Sequence, residues 1–312
     1  MRRKRVYLAG GCAVFEKILL ATDFSAYAKK TLDCIAGFPG AREVILFHVA
    51  EEAVSPRGGG EIGDTFLRAE YDLLRDQKHY LENLHHDLHV TTAITTSSDK
   101  AGAIIAAAEE NGACLIVMGA RGTGIAEGIL LGSVSTAVIR RSSISVLIMR
   151  YKIIGDLKGE TYELFCPRIL CRVLCPVDFS PYSDHALALA GATPGVGEIL
   201  LLHVVSQSES GSETGNVVEQ ARLRLAAIRD DLAAKNIRTR IIVRTGNPSN
   251  EITNIADEED ASVIWMSSRG AGWLEELLIG STAHSVAMHA QRPVLIVRQP
   301  ACGGANPQFS PP

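Results

Sequence analysis

Short runs of apolar, largely β-branched residues alternate along the chain with longer amphipathic stretches, the pattern of strands joined by crossover helices around a mostly parallel sheet. In the first half the runs predict strands near Lys17 to Ala21, Val44 to Val49, Val90 to Thr95, Cys114 to Met118 and Val146 to Met149. The stretches between them predict helices over Ala26 to Ala36, Thr65 to His86, Lys100 to Glu110 and Ser133 to Arg140. Runs such as "VILFHV" and "LIVMG" hold hardly a polar position, so both faces of these strands must be covered. The expected fold class is α/β, with a doubly wound, five-stranded, mostly parallel layer.

The pattern is written twice. "KILLATDFS" from Lys17 returns as "RVLCPVDFS" from Arg172, which sets Asp23 opposite Asp178, and "EVILFHV" from Glu43 returns as "EILLLHV" from Glu198. Towards the end of each copy "ISVLIMR" answers "RPVLIVR". The offset falls from 155 to 148 residues, so the first copy carries seven extra residues, expected in the glycine-rich loop "SPRGGGEIGD". The chain therefore divides into a first domain over 1–150 with its core from about 14, a linker over 151–169, a second domain over 170–300 and a tail over 301–312. At that length the linker is expected to let the second copy dock freely. Residues 1–13 precede a unit that is already complete and are expected to be an over-extended start. The fifth strands are short and apolar, and unpaired they would invite aggregation. Pairing of Val146–Met149 with Val294–Val297 is expected, making an intramolecular pseudo-dimer, and further homodimerisation is left open.

Composition narrows the class. At 312 residues, 46% hydrophobic and 21% charged, the chain is globular and long enough for two cores. A net charge of -4 argues against a nucleic-acid partner, and "MRRKR" is too short to alter that. No apolar run reaches the roughly eighteen residues of a membrane span, so a cytoplasmic protein without a membrane partner is expected. The seven cysteines form no regular framework and are read as reduced core thiols; Cys166, Cys171 and Cys175 lack the spacing of a zinc knuckle, and no metal site is expected.

The candidate chemistry lies in "VMGARGTGIAEGILLGSVS" (117–135), echoed by "WMSSRGAGWLEELLIGSTA" (265–283). After a strand come Gly119, two residues, Gly122, nine residues, then Gly132 and Ser133 opening a helix. Glycines admit close backbone approach, and a helix N-terminus with an N-cap serine favours an anion, which suits a phosphate chain. Glycine-rich turns without any ligand are common in α/β proteins, so spacing decides. G-x-x-G, nine residues, then G-S matches the nucleotide motif of the universal stress protein family, and the chain resembles a tandem member of it over nearly its whole length. "ATDFS" and "LFHV" resemble that family's adenosine-contacting segments.

The resemblance implies two tandem doubly wound domains of adenine nucleotide alpha hydrolase-like fold, and an adenine nucleotide as ligand: ATP, alone or with Mg. It implies that Asp23 meets ribose and adenine, Val49 the adenine edge, Gly119 and Gly122 the ribose and phosphates, and Gly132, Ser133 and Val134 the phosphates. Arg121 lies within the turn, where it would offer charge. The corresponding positions in the second copy are Asp178, Val204, Gly270, Gly280 and Ser281. Ser267 stands where the first copy has Gly119, so the first copy is expected to be the better site and the second weak or empty; a left-handed backbone there would cost serine roughly 1–2 kcal/mol. The loop after the third strand departs in the other direction, with Gly246 in the second copy against Ser98 in the first.

The implied function is a regulatory, stress-response one in which bound nucleotide tunes contact with an unknown protein partner. A nucleotide-independent interaction module using the paired domains is the alternative, and slow ATP hydrolysis a third. No P-loop or H-x-G-H motif is present. His48 and His203, each closing an apolar run, read as half-buried structural residues rather than acids or bases.

Overall fold

A computed structural model of the chain describes residues 15–51, 61–120, 131–156, 159–163, 165, 168–206, 214–271 and 278–299. The first copy runs β1 (Lys17–Ala21), α1 (Ala26–Ala36), β2 (Glu43–Ala50), α2 (Glu61–Leu84), β3 (His89–Thr96), α3 (Lys100–Glu110), β4 (Leu115–Gly119), α4 (Ser133–Arg141) and β5 (Ser145–Met149). A hairpin of β6 (Lys152–Asp156) and β7 (Gly159–Glu163) follows. The second copy repeats the series as β8 (Arg172–Pro176), α5 (Pro181–Ala192), β9 (Glu198–Val205), α6 (Thr214–Ala233), β10 (Arg238–Thr245), α7 (Pro248–Glu258), β11 (Val263–Ser267), α8 (Ser281–His289) and β12 (Val294–Val297).

Short polar side chains set the helix starts. Ser25 Oγ accepts from Ala28 N at 3.1 Å and Ser180 Oγ from Ser183 N at 3.2 Å, while Asp99 and Asn247 cap α3 and α7 in the same way. Each satisfies an amide that has no partner within its helix. Pro181 and Pro248 occupy first-turn positions, where the missing N–H costs nothing.

Ten strands form one sheet in the order β10-β9-β8-β11-β12-β5-β4-β1-β2-β3. Strands pair in parallel within each copy, and β5 meets β12 antiparallel with Leu147 opposite Leu295, as expected of the fifth strands. Both are buried along their length. The core also crosses between copies, where the Phe15 ring packs edge-on against Trp265 at 5.6 Å.

Three expectations are corrected. The segment between the copies is no free tether: it holds the β6–β7 hairpin, and Phe165 beyond it lies under the Arg292 guanidinium at 4.4 Å. Its glycines and charges suggested a linker, but the backbone pairs as two strands, with Ile153 opposite Tyr162 and Ile154 opposite Thr161. Four of the seven extra residues lengthen α2, which has 24 residues against 20 in α6, rather than the loop before it. Cys171 is disulfide-bonded, whereas Cys34, Cys114 and Cys175 are free thiols as expected. Cys175 lies in the buried run of β8; Cys171 precedes that strand, outside the core pattern on which the reading rested. The proposed start at 1–13 and tail at 301–312 lie outside the described residues.

Candidate functional site

Both copies leave their first strand in the same way. Asp23 Oδ1 accepts from Ser25 N at 3.1 Å and Ser25 Oγ at 2.6 Å; Asp178 Oδ1 accepts from Ser180 N and Oγ at 3.1 and 2.6 Å. The phenylalanine between is forced into the left-handed region, with φ 62° at Phe24 and 59° at Phe179. That conformation is costly for an aromatic residue and persists only where its surroundings enforce it. Here the rings stack on His48 and His203 at 4.4 and 4.5 Å. Each imidazole is pinned by Nδ1–H donating to a carbonyl of the same turn, Thr22 O at 2.8 Å and Val177 O at 2.7 Å. Both histidines are therefore structural pins. Their outer neighbours differ: His48 Nε2 lies 3.4 Å from Glu70 Oε1, whereas the Arg224 guanidinium covers the Phe179 ring at 3.8 Å.

In the second copy this exit opens on a cavity of about 370 Å³. It lies at the carboxyl ends of β8, β9 and β11, where doubly wound sheets bind ligands. Five residues named from the sequence, Asp178, Val204, Gly270, Gly280 and Ser281, all line it. Asp178 Oδ2 accepts from Ala271 N at 2.9 Å, drawing the turn over the carboxylate. A Cβ on Gly270 would stand 2.6 Å from that oxygen, so a larger residue would displace the carboxylate from its bonds to Ser180 and Ala271. Burial pushes the Asp178 carboxyl up, but the hydrogen bonds from Ser180, Ala271 and Ser183 outweigh it and hold the group below its ordinary range. At the far side Gly280 N donates to Ser268 O at 2.7 Å, closing the neck of the turn.

Gly280 itself, not Ser281, is the N-cap of α8; its φ of -73° is open to any residue, and no side chain caps the helix. A Cβ there would meet only Ser268 O, at 3.5 Å. The same holds in the first copy, where Gly132 (φ -71°) rather than Ser133 is the N-cap of α4. The two helices thus present amide groups without a side-chain cap, which is the arrangement an anion fits.

Ser267 carries none of the expected backbone strain. Ser267 closes β11 opposite Val297 and Gly119 closes β4 opposite Met149, and neither has a positive φ. Ser267 Oγ turns to Arg269 O at 2.5 Å.

In the first copy, Asp23 lies two residues beyond β1 and Val49 near the end of β2, Gly132 N donates to Ala120 O at 2.8 Å, and Ser133 and Val134 begin α4. Ser135 Oγ donates to Gly119 O at 3.0 Å, tying the helix to the strand end. Arg121 and Gly122 lie outside the described residues. Sequence reasoning missed the Ala271 amide, Ser183 and Arg269, all of which line the second cavity. Arg269 was visible as the partner of Arg121 in "SSRG" against "GARG". Among the described residues no cluster of three or more metal-ligating side chains occurs.

The pattern characteristic of universal stress proteins matches residues 15–150 and again residues 171–298. The chain belongs to the universal stress protein family. Among curated relatives, a universal stress protein of Methanocaldococcus jannaschii is 29% identical over 153 residues, covering 41% of this chain and 94% of that one. YxiE of Bacillus subtilis is 32% identical over 145 residues, covering 41% and 98%. A universal stress protein of Mycobacterium tuberculosis is 29% identical over 197 residues, covering 60% and 62%. The solved universal stress protein of Archaeoglobus fulgidus aligns over 91% of this chain and 96% of its own, with a TM-score of 0.66 and 25% identity. The tandem arrangement is thus shared along both copies. Among the described residues, no helix is long and apolar enough to cross a membrane.

Proposed function

We propose that this universal stress protein is a cytoplasmic regulator that binds ATP, or a related adenine nucleotide, at the glycine-rich turn after the fourth strand of each copy. The observation that carries the reading is the second cavity, which gathers the three kinds of group a nucleotide needs. Apolar Val204, Ile252 and Met266 suit a base, the ionised Asp178 suits ribose hydroxyls, and the uncapped start of α8 with Arg269 suits phosphates. The corresponding groups of the first copy, Asp23, Val49, Gly119, Gly132, Ser133 and Val134, support the same role there, with Arg121 and Gly122 in the intervening turn.

Both oxygens of Asp178 already accept hydrogen bonds, which favours binding over hydrolysis. Asp178 is the one acidic side chain among the described lining residues, so any Mg would be held chiefly by phosphate and water. Binding is tested by mass spectrometry of small molecules released from freshly purified protein, followed by calorimetric titration with ATP. A released adenine nucleotide and saturable binding support the reading. Empty protein that takes up no ATP overturns it in favour of the nucleotide-independent interaction module.

A further inference from the structure

Two arginines occupy corresponding places, one residue beyond β5 and one beyond β12, and both are buried. Each reaches across to the other copy. Arg150 Nη2 donates to Ala287 O, 2.6 Å away near the end of α8. Arg298 Nη2 donates to Ile139 O near the end of α4, and its Nη1 donates to Leu278 O, two residues before Gly280. A guanidinium beneath a helix C-terminus meets the negative end of the helix dipole. Burial and the nearby Arg269 lower the Arg298 side chain to about 10, and its Nε is buried without a partner, so the carbonyls it grips are what compensate the charge.

The position of those carbonyls gives the strap its consequence. Helix α4 starts behind Gly132, at the first copy's phosphate turn, and ends at the Arg298 guanidinium. The second copy's turn is closed by Gly280 N to Ser268 O at 2.7 Å and Ser268 N to Val297 O at 2.9 Å, and Arg298 follows Val297 directly. One side chain therefore grips the far end of one site's helix and, at Leu278 O, the segment that leads into the other site's helix. The helices also touch, with Thr136 Oγ1 3.7 Å from Met288 Sδ.

We propose that Arg298 couples the two nucleotide sites, so that a ligand at the start of α4 strengthens binding at the second copy. The coupling presupposes that both clefts hold nucleotide. Ligand at Gly132 fixes the position of α4 and with it Ile139 O, one of the two anchors of Arg298. A fixed guanidinium holds Leu278 O, two residues before Gly280, and so steadies the start of α8 for the second nucleotide. Reciprocity requires the second site to strengthen the first by the same factor. Arg298 is a positioning residue here, not a ligand contact.

The test is calorimetric titration of the full chain with ATP in a double-mutant cycle. Gly132→Val closes the first site, and R298K keeps the charge while replacing the two-pronged fork with a single point donor. Second-site affinity should be at least about fivefold weaker in Gly132→Val than in the wild type, the lower end of ordinary coupling. R298K should impose a similar loss in the open chain and little further loss in the Gly132→Val background. Equal second-site affinity in the wild type and Gly132→Val, or an R298K penalty of the same size in both backgrounds, overturns the coupling and leaves nucleotide binding standing. A chain that binds no ATP in any form overturns both. Should R298K fail to fold, the Gly280→Val chain reads the same coupling with Arg298 intact. ATP at the first site should slow hydrogen exchange of the His284 amide, which donates to Gly280 O at 2.9 Å, and unchanged exchange contradicts the proposal.

Discussion

The turns of the two copies carry glycines at matching places, but the reasons differ from one place to the next. At the strand end, Gly119 in the first copy and Ser267 in the second share an extended backbone, and the serine hydroxyl finds a carbonyl 2.5 Å away. Further on, a Cβ on Gly270 would come within 2.6 Å of Asp178 Oδ2, so any side chain there would push the carboxylate aside. At the helix start, Gly132 and Gly280 have backbone angles open to any residue, and a Cβ on Gly280 would meet little protein. The lesson is that a glycine kept where the protein itself has room marks space for something else. A glycine replaced by serine in a strand marks none.

The comparison is broken most directly at the helix start. Gly280→Val should abolish ATP binding in the second copy and Gly132→Val in the first, each leaving the melting temperature nearly unchanged, because neither site needs a left-handed residue. Calorimetry paired with thermal unfolding checks this; a large fall in melting temperature would show the glycine to be structural instead.

Next in size is Asp178→Ala, which strips acceptors from Ser180 and Ala271. A loss of about 1–3 kcal/mol is expected from amides and a hydroxyl left without their partner. Asp23→Ala should cost a comparable amount, since Ser25 makes the same pair of bonds. Denaturant unfolding measures both, and a cost in one copy alone would show that the two exits are not equivalent.

A third expectation concerns acid. Asp178 titrates lower in the folded than in the unfolded chain, so its contribution to stability is complete above the ordinary carboxylate range and is lost as pH falls through the depressed value. Urea midpoints across that range should therefore fall less steeply in Asp178→Asn than in the wild type. The smallest effect is expected of Ser267→Gly, within about 0.5 kcal/mol in stability and no more than about twofold in ATP affinity. A tenfold gain at the second site would restore the strain that its backbone does not show.

Much of the fold was legible from local signals. Continuous apolar runs located the first-copy strands to within a residue, and the helix starts at Ala26 and Lys100 fell where expected, each behind a short polar residue, Ser25 or Asp99, whose side chain accepts from an amide three positions on. Asp178, Val204, Gly270, Gly280 and Ser281 converge on one cavity because each lies near the end of a strand or the start of a helix, places a repeat can be seen to share. What could not be read depends on distance along the chain. Arg298 finds Ile139 O across 159 residues, and the Ala271 amide finds Asp178 across 93. No periodicity announces such partners. The β6–β7 hairpin escaped for a different reason, since its glycines and charges outweighed a short β-branched run in a segment with no counterpart in the repeat.

The central claim is that the uncapped helix starts at Gly132 and Gly280 hold the phosphates of an adenine nucleotide. Counting ATP per chain by native mass spectrometry in the wild type, Gly132→Val and Gly280→Val tests it most directly. The expected counts are two, one and one. Undiminished binding in Gly280→Val, or no ATP on the wild-type chain, would contradict it.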